Sequence, residues 1–162
     1  MIRDVTVDDA TDIKDIYNHF VHTSIVTFEE EPVSVEEMKH RIELVTQKHP
    51  WFVWEEEGRV IAYAYATDWK QRSAYKQTVE TSIYLHPEHA GKGIGKKLYS
   101  HLIDHLMQAD IHAIIGGISL PNLVSVALHE RLGFQKVAHF KEVGYKLNKW
   151  VDVGYWELTA DH

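Results

Sequence analysis

The sequence has no cysteine and no long apolar run. Without cysteine, disulfide bonds, zinc sites built on thiolates and a cysteine nucleophile are all excluded. No hydrophobic stretch approaches the roughly 20 residues of a membrane-spanning helix, and the first residues, MIRDVTVDDA, lack the apolar segment of a signal peptide. We therefore expect a cytoplasmic protein with no membrane partner.

Basic residues are also few. The 17 lysine and arginine residues are outnumbered by 24 aspartate and glutamate residues, which gives a formal net charge of -7 at pH 7. Apart from a short cluster near position 96 the basic residues are scattered, so nothing favours binding to nucleic acid. In contrast, 44% of the 162 residues are hydrophobic, which is typical of a globular protein with a real core. We predict a single domain over residues 1–162.

Histidine is abundant, with 12 residues. His101 and His105 are four positions apart on a predicted helix, which is the spacing of two metal ligands on one face. However, Leu102 follows His101, so the HExxH pattern of metalloproteases is absent. We interpret these histidines as part of a solvated helix face and predict no metal site.

The hydrophobic pattern predicts the element order β-α-α-β-β-β-α-β-α-β-β, a mixed α/β domain with a central sheet flanked by helices. Strand 78–86, helix 92–109 and strand 112–119 form a βαβ unit, so two central strands should be parallel. The other predicted elements are a strand at 2–7, a helix capped by Asp8 or Asp9, a helix that Ser34 caps, a hairpin within 51–69 that turns at Gly58, a helix from Pro121 to Gly133, and strands at 134–140 and 150–158.

Residues 86–98, HPEHAGKGIGKKL, join a predicted strand to a predicted helix and contain three glycines. At such a junction the free N–H groups and the helix dipole attract an anion, and glycine lets a phosphate approach the backbone. Gly91, Gly93 and Gly95 do not have the spacing of a Walker loop, nor the early position of a Rossmann dinucleotide fingerprint. A pyrophosphate is the favoured ligand, and a glycine-rich turn without a ligand is the alternative.

This segment and a second one together resemble the GCN5-related N-acetyltransferase (GNAT) family. SIYLHPEHAGKGIGKKL (82–98) looks like that family's acetyl-CoA pyrophosphate loop, and PNLVSVALHERLGF (121–134) looks like its following helix. The resemblance covers nearly the whole chain and implies a single-domain GNAT-like acyl-CoA N-acyltransferase fold, with acetyl-CoA as the acyl donor. One departure is Ala90, which replaces the Arg or Gln of the family motif and removes one side-chain contact with the pyrophosphate.

More narrowly, the chain resembles the phosphinothricin and methionine sulfoximine acetyltransferases, which acetylate the α-amino group of small amino-acid analogues. The supporting segments are TFEEEP (27–32), DWKQRSAYKQTVETSIYL (68–85), LHERLGF (128–134) and GYKLNKWVDVGYW (144–156). This resemblance implies a small-molecule amine substrate that carries a carboxylate, and it implies a homodimer.

The resemblance also implies which residues bind the donor. Main-chain groups of Ile83, Tyr84 and Leu85 would bind the pantetheine arm, together with Asn122 and Ser125, which share one helix face. The structural alternative for Asn122 is a helix N-cap. The lysines of the turn either bind phosphate or are only solvated. The residues expected at the pyrophosphate are Gly91, Lys92, Gly93, Ile94, Gly95 and Lys96, with Lys97 nearby.

Acetyl transfer to an amine needs a base, a polarised carbonyl and a stabilised thiolate, but no protein nucleophile. We predict Glu80 as the base, because strand alternation sets it beside the cleft, where burial would raise its pKa. The alternative is a Glu80 that pairs with Lys70 or Arg72 and only orders a loop. His129 is the second predicted catalytic residue, since imidazole can protonate the sulfur or accept the proton of the amine. Its alternative is a half-buried helix residue, and the resemblance favours catalysis for both.

The acceptor site is expected to draw on two polar segments. Arg72 is the first choice for the substrate carboxylate because its planar guanidinium matches that group. Phe28 and Glu29 would wall the site and attract the ammonium, unless their segment is only an acidic surface loop. Trp69 and Trp150 are interpreted as packing residues. The full set of predicted acceptor residues is Phe28, Glu29, Lys70, Arg72 and Tyr75.

Three functions are compatible with these residues. The first is an acetyl-CoA-dependent N-acetyltransferase that acts on free amino acids or their toxic analogues. The second is a protein or peptide N-acetyltransferase of the same fold. The third is a CoA-binding module without turnover, against which the presence of both Glu80 and His129 argues.

Overall fold

The computed structural model of the protein describes residues 1–161; residue 162, the last of the predicted domain, lies outside the described part. In that part, the strands form one mixed sheet in the order β1-β2-β3-β4-β5-β7-β6. The elements are β1 (Ile2–Asp4), α1 (Ala10–Thr23), α2 (Val35–Thr46), β2 (Trp51–Glu56), β3 (Arg59–Asp68), β4 (Thr78–Leu85), α3 (Ile94–Gln108), β5 (Ala113–Leu120), α4 (Leu123–Arg131), β6 (Gln135–Lys146) and β7 (Lys149–Thr159).

The predicted element order and the mixed α/β class are confirmed, but the predicted first strand, 2–7, is too long. β1 ends at Asp4, and a short 3-10 helix, Val7–Asp9, follows it. The Asp9 carboxylate accepts the backbone N–H of Thr6 at 2.8 Å and pairs with Arg3 at 2.8 Å. These contacts turn the chain away from the sheet before α1 begins.

Two of the other differences from the predicted element limits have a clear structural cause. α3 begins at Ile94 rather than at residue 92, because Gly93 has a left-handed φ of 78° that no helix interior contains. β6 continues to Lys146, beyond the predicted end at residue 140. A bulge between Phe140 and Gly144 shifts its register and lets it stay paired with β7.

Both faces of the sheet are covered, because successive side chains of a strand point to opposite sides. On one face Val53 and Tyr63 pack with the buried residues of α1 and α2. On the other face the small side chain of Ala64 leaves room for Leu98 and Leu102 of α3. Alternate residues of a strand therefore pack against different helices, one set against α1 and α2 and the other against α3.

The histidine pair of α3 lies on the outer surface of the helix. His101 and His105 are exposed, and their rings stand edge-on to Phe52, with centroids 4.6 and 5.3 Å away. This arrangement is that of a solvated helix face. Among residues 1–161, no group of three or more His, Asp or Glu side chains is arranged to hold a metal ion. The same part of the chain contains no helix of the length and apolarity needed to cross a membrane.

β4 and β5 are the predicted parallel neighbours, but they pair only from Thr78↔Ala113 to Glu80↔Ile115. Beyond Glu80 they part, although β4 stays paired with β3 as far as Leu85 and β5 stays paired with β7 over its whole length. The rest of β4 therefore presents main-chain N–H and C=O groups to an opening and not to a strand. This opening positions the candidate site.

Candidate active site

A narrow slot occupies the opening between β4 and β5. Its walls come from both strands, from the buried side of α3 and from the first turns of α4. Among the lining residues that were not predicted from the sequence are Thr81 and Tyr99. The predicted residues that line it are Glu80, Ile83, Tyr84, Asn122, Ser125 and His129.

Two consecutive glycines of β5 open the slot toward both faces of the sheet. A Cβ atom on Gly116 would lie 2.6 Å from Nε2 of His129. A Cβ atom on Gly117 would lie 3.6 Å from Oε2 of Glu80 and 3.0 Å from the ring of Tyr155. Since successive residues point to opposite faces, Glu80 lies on the α1–α2 side of the slot and His129 on the α3 side.

Glu80 is half-buried and has no ionic partner. Burial raises the pKa of its carboxyl, and the positive charge of Lys70 offsets part of that rise. Within residues 1–161, Glu80 forms no ion pair with Lys70 or Arg72. This favours a carboxylate free to accept a proton over one that only orders the neighbouring loop.

His129 is buried, at 4% exposure, and both its ring nitrogens have partners. Nδ1 donates to the carbonyl oxygen of Ser125 at 2.8 Å, and Nε2 lies 2.9 Å from the hydroxyl of Tyr99. Burial lowers the pKa of His129, and the bond to Ser125 only partly opposes this. The ring is therefore neutral at pH 7, because its pKa lies below the ordinary value of about 6.5.

The glycine turn has the geometry of an anion site. Gly91 and Gly93 have φ values of 81° and 78°, which favour glycine, and a Cβ atom on either would meet nothing within 4 Å. The helix ladder begins with the bond from Lys97 N–H to Gly93 C=O at 3.2 Å. The amides of Ile94 and its neighbours therefore have no acceptor inside the helix. The turn is open and offers several N–H groups to a ligand.

The other predicted donor-binding residues divide by role. Asn122 caps α4, because its Oδ1 accepts the backbone N–H of Ser125 at 3.1 Å, and it also lines the slot. The ring of Tyr84 packs among aromatic side chains on the α1 side, so its main chain is what remains for a donor. Lys92 and Lys96 are exposed.

The segment between α1 and α2 is irregular, as predicted, but buried contacts hold it in place. The ring of Phe28 lies directly over Gly144 of β6, where any side chain larger than hydrogen would overlap it. The Lys146 ammonium group, only 4% exposed, donates to the carbonyl of Thr27 at 2.7 Å. β6 therefore sets the position of Phe28.

Glu29 is not a solvated acidic residue. Its carboxylate accepts from the guanidinium of Arg41 at 2.6 and 3.1 Å and from the hydroxyl of Tyr17 at 2.7 Å. The hydrogen bonds from Arg41 hold the pKa of Glu29 below its usual value, although burial opposes them. Its charge is thus already compensated within the chain.

The remaining acceptor candidates lie on the connection between β3 and β4. The ammonium of Lys70 sits 4.9 Å from the ring centroid of Trp69, and that ring meets Tyr155 edge-on at 5.6 Å. Trp69 is therefore a packing residue, as predicted, and it keeps Lys70 near the Glu80 end of the slot. Arg72 and Tyr75 are exposed at the two ends of a short 3-10 turn further along.

The packing role predicted for Trp150 is wrong, because this side chain is 64% exposed. It lies at the β6–β7 hairpin, where its ring meets the ring of Tyr145 edge-on, with centroids 4.9 Å apart. β6 is the outermost strand of the sheet, so this hydrophobic surface borders an unpaired strand edge. The other exposed hydrophobic residues there, which with Trp150 we call the β6 patch, are Val137, Phe140, Val143, Tyr145 and Leu147.

Sequence reasoning missed several residues that shape the slot. The adjacent pair Gly116 and Gly117 carried a usable signal, since glycine inside a strand indicates close approach of another group. Tyr99 gave no such signal, because a tyrosine on the buried side of a helix is typical of an ordinary core residue. Thr81 and Tyr155 fit the alternation of their strands and gave no other indication.

Comparison with known proteins assigns the chain to a class. Residues 2–154 match the family model described as an acetyltransferase (GNAT) domain. The chain therefore belongs to the GNAT family of acetyltransferases, and the family, fold and enzyme class predicted from the motifs are confirmed.

The most informative relatives are named for a more specific activity than that of the family. The chain is 39% identical over 156 residues to a phosphinothricin N-acetyltransferase of Streptomyces viridochromogenes, covering 96% of this chain and 85% of that one. It is 35% identical over 164 residues to an L-methionine sulfoximine/L-methionine sulfone acetyltransferase of Salmonella typhimurium, covering 99% and 94%. The solved structure of yncA, an acetyltransferase of Salmonella typhimurium with its cofactor acetyl-CoA, superposes with a TM-score of 0.97 at 35% identity, covering 100% and 94%.

The close approach at Gly116 yields the first testable prediction. A methyl group added by Gly116→Ala would meet His129 Nε2 at 2.6 Å, so we expect a loss of about 1–3 kcal/mol in the free energy of unfolding, as for other overpacked cores. In a His129→Ala background the same change should cost much less, because the ring is gone. Urea unfolding of the four proteins measures both costs. Equal costs in the two backgrounds would contradict the packing described.

Proposed function

We propose that the protein transfers the acetyl group of acetyl-CoA to the α-amino group of a small amino acid or of a toxic analogue such as phosphinothricin or methionine sulfoximine. The observation that carries this proposal is the slot between β4 and β5, beside which Glu80 lies without an ion-pair partner among residues 1–161. The names of the relatives and the acetyl-CoA of the related structure support it.

Groups along the slot are suited to bind the two ends of the donor, namely the pantetheine arm and the pyrophosphate. The unpaired edge of β4, from Ile83 to Leu85, offers hydrogen bonds to the pantetheine arm as a neighbouring strand would. The turn at 91–96 offers amides and a helix N-terminus to the pyrophosphate. Ala90 adds no polar side chain, so in this proposal the backbone carries the binding of the pyrophosphate.

In the proposed reaction Glu80 removes a proton from the acceptor's ammonium group, directly or through a water molecule. An amine must lose that proton before it can attack the acetyl carbon. Because burial raises its pKa, Glu80 is a stronger base than an exposed carboxylate. The amine then attacks from the α1–α2 side of the slot, where Glu80 lies.

The acceptor's carboxylate is assigned to Arg72, with Lys70 and Tyr75 as further contacts, since these residues follow the Trp69–Tyr155 contact beside Glu80. Phe28 forms the wall of the site. Glu29 is assigned to the same wall and not to the ammonium, because Arg41 already compensates its charge. A planar guanidinium binds a carboxylate through two parallel hydrogen bonds, which would also orient the substrate.

We place this activity in the cytoplasm, where acetyl-CoA is available, and in one catalytic domain that comprises residues 1–162. Acetylation of a toxic amino-acid analogue would detoxify it. We also propose a homodimer formed through the β6 patch. Two copies of one outer strand can pair about a two-fold axis, which covers the exposed hydrophobic residues and the unpaired strand edge together.

A substrate panel tests the activity. With acetyl-CoA and amino acids, phosphinothricin or methionine sulfoximine, we expect release of free thiol, followed with a thiol reagent. The same compounds with an already acetylated α-amino group are the matched controls and should release none. Thiol release with a peptide alone would favour a peptide acetyltransferase, and binding of acetyl-CoA without any release would favour a non-catalytic module.

The role of Glu80 predicts a separation of turnover from binding. Glu80→Gln should lower kcat by about 10²–10⁴-fold, the usual range for general-base catalysis, and leave the Kd for acetyl-CoA unchanged. In the wild type, kcat/KM should fall as the pH drops through the raised pKa of Glu80, because the protonated carboxyl cannot accept a proton. Glu36→Gln, on the exposed face of α2, is the control and should behave as wild type. Normal turnover in Glu80→Gln would remove Glu80 from the catalytic residues.

The homodimer is tested by molar mass. Light scattering should give twice the 18.8 kDa of one chain for the wild type, and a value near 18.8 kDa for Trp150→Lys. A buried lysine ammonium without a partner is costly, so one substitution suffices to weaken the contact. Leu44→Lys changes another exposed apolar residue, 53% exposed on α2, and should stay dimeric. A wild-type mass of one chain would rule out the proposed dimer.

A further inference from the structure

A buried chain of hydrogen bonds leads from the slot into α4, and donor binding does not account for it. It runs from Thr81 of β4 to Tyr99 of α3 at 2.6 Å and on to His129 of α4 at 2.9 Å. The three residues are 5%, 0% and 4% exposed. Thr81, Tyr99 and His129 all line the slot, so the chain borders the place where the proposed reaction occurs.

The direction of these hydrogen bonds follows from the last link. The carbonyl oxygen of Ser125 can only accept, so Nδ1 of His129 carries a proton. In a neutral imidazole the other nitrogen, Nε2, is then an acceptor, and Tyr99 must donate to it. Tyr99 has a single hydroxyl proton, so Thr81 must donate to the Tyr99 oxygen. The chain thus points from Thr81 through Tyr99 to His129.

Few charged groups face this chain. On α3 the Tyr99 hydroxyl is the titratable group that meets His129, on β5 the facing residue is Gly116, and beyond α4 it is Phe134, whose ring stands edge-on at 5.0 Å. From the other side of the slot, the negative charge of Glu80 contributes to the raised pKa of Tyr99. Among residues 1–161, no carboxylate contacts Nε2 of His129, so no negative charge there would retain a proton that Nε2 receives.

We propose that Tyr99 and His129 form a proton shuttle between the acceptor nitrogen and the donor sulfur, with Thr81 setting its direction. The proposal rests on the proposed acetyl transfer and joins the two roles that the sequence left open for His129 in one sequence of steps. His129 begins as a proton acceptor and becomes a donor only after it has received a proton through Tyr99.

The shuttle moves one proton and leaves the protein unchanged. After the amine has attacked, its nitrogen gives a proton across the slot to the Tyr99 oxygen, while the original Tyr99 O–H bond breaks and its proton forms the Nε2–H bond of His129. In the return step Nε2 gives that proton back to Tyr99, and Tyr99 passes a proton to the sulfur. The carbon–sulfur bond breaks with its electron pair on the sulfur, which takes the proton.

The acidities of the two groups suit these steps. Burial raises the pKa of Tyr99 far above that of a free phenol, so Tyr99 transfers protons without staying ionised. Burial lowers the pKa of His129, so its protonated ring is a stronger acid than free imidazole and gives its proton readily to a thiolate. Glu80, on the other face, serves the earlier deprotonation.

The tautomer of His129 gives a test that needs no turnover. The protein is labelled with ¹⁵N-histidine, and the His129 resonance is assigned as the one that disappears in His129→Ala. Two-bond proton–nitrogen spectra at neutral pH should then show that Nδ1 of His129 is protonated and Nε2 is not. A proton on Nε2, or on both nitrogens, would overturn the proposal, because the chain could not then point toward His129.

Turnover provides the second test. Tyr99→Phe removes one hydroxyl and should lower kcat by about 10²–10⁴-fold, the range for general acid–base catalysis, with little change in the Kd for acetyl-CoA. Tyr63→Phe is the matched control, a tyrosine 1% exposed on the other face, and should keep wild-type kcat. Since residues that act as a unit are not additive, Tyr99→Phe/His129→Ala should be no slower than the slower single variant. A Tyr99→Phe enzyme as fast as Tyr63→Phe, or a double variant whose losses multiply, would overturn the shuttle.

Thr81→Val is a second variant of similar shape in case Tyr99→Phe does not fold. It removes the donor to the Tyr99 oxygen, so kcat should fall, and an unchanged kcat would exclude Thr81 from the shuttle. The tautomer and the acetyl-CoA affinity are measured without an acceptor. If no amine in the panel is acetylated, the proposed function fails by itself, whereas an active enzyme with the wrong tautomer defeats only the shuttle.

Discussion

The parting of β4 and β5 after Glu80 is the constraint on which the other features depend. Two parallel strands that stayed paired would satisfy each other's main-chain groups and leave no opening in the sheet. Because they separate, β4 keeps an unpaired edge that a ligand with its own amide groups can complete. The glycine turn follows the same strand after a short 3-10 helix, Pro87–His89, so one stretch of the chain carries both of the backbone segments proposed to bind acetyl-CoA.

The opening also divides the chemistry between two faces of the sheet. Gly116 and Gly117 point to opposite sides and leave space for His129 and Glu80 respectively. Burial acts on both groups in the same way, by disfavouring their charged forms, and it therefore shifts their pKa values in opposite directions. Burial thus makes the carboxylate a better base and the imidazolium a better acid, as the proton transfers proposed for the two faces require.

The wall proposed for the acceptor site depends on a distant part of the chain. Phe28 rests on Gly144, and Lys146 holds the Thr27 carbonyl, so β6 positions a loop more than a hundred residues earlier. The bulge that precedes Gly144 aims this part of β6 at the loop. β6 also carries the exposed apolar patch, so the surface proposed for dimer contact and the residues that support Phe28 belong to one strand.

Local patterns in the sequence determined the order of the elements, the glycine turn before α3 and the family, because periodicity and short motifs depend on neighbouring residues. Contacts between distant residues decided what the sequence did not reveal. Asp9 and its partners ended β1 early, and the outer position of β6 left Trp150 exposed. Thr81, Tyr99 and His129 lie on three elements, so no spacing along the chain encodes their hydrogen bonds. Only the packing of α3 and α4 against the parted strands brings them together.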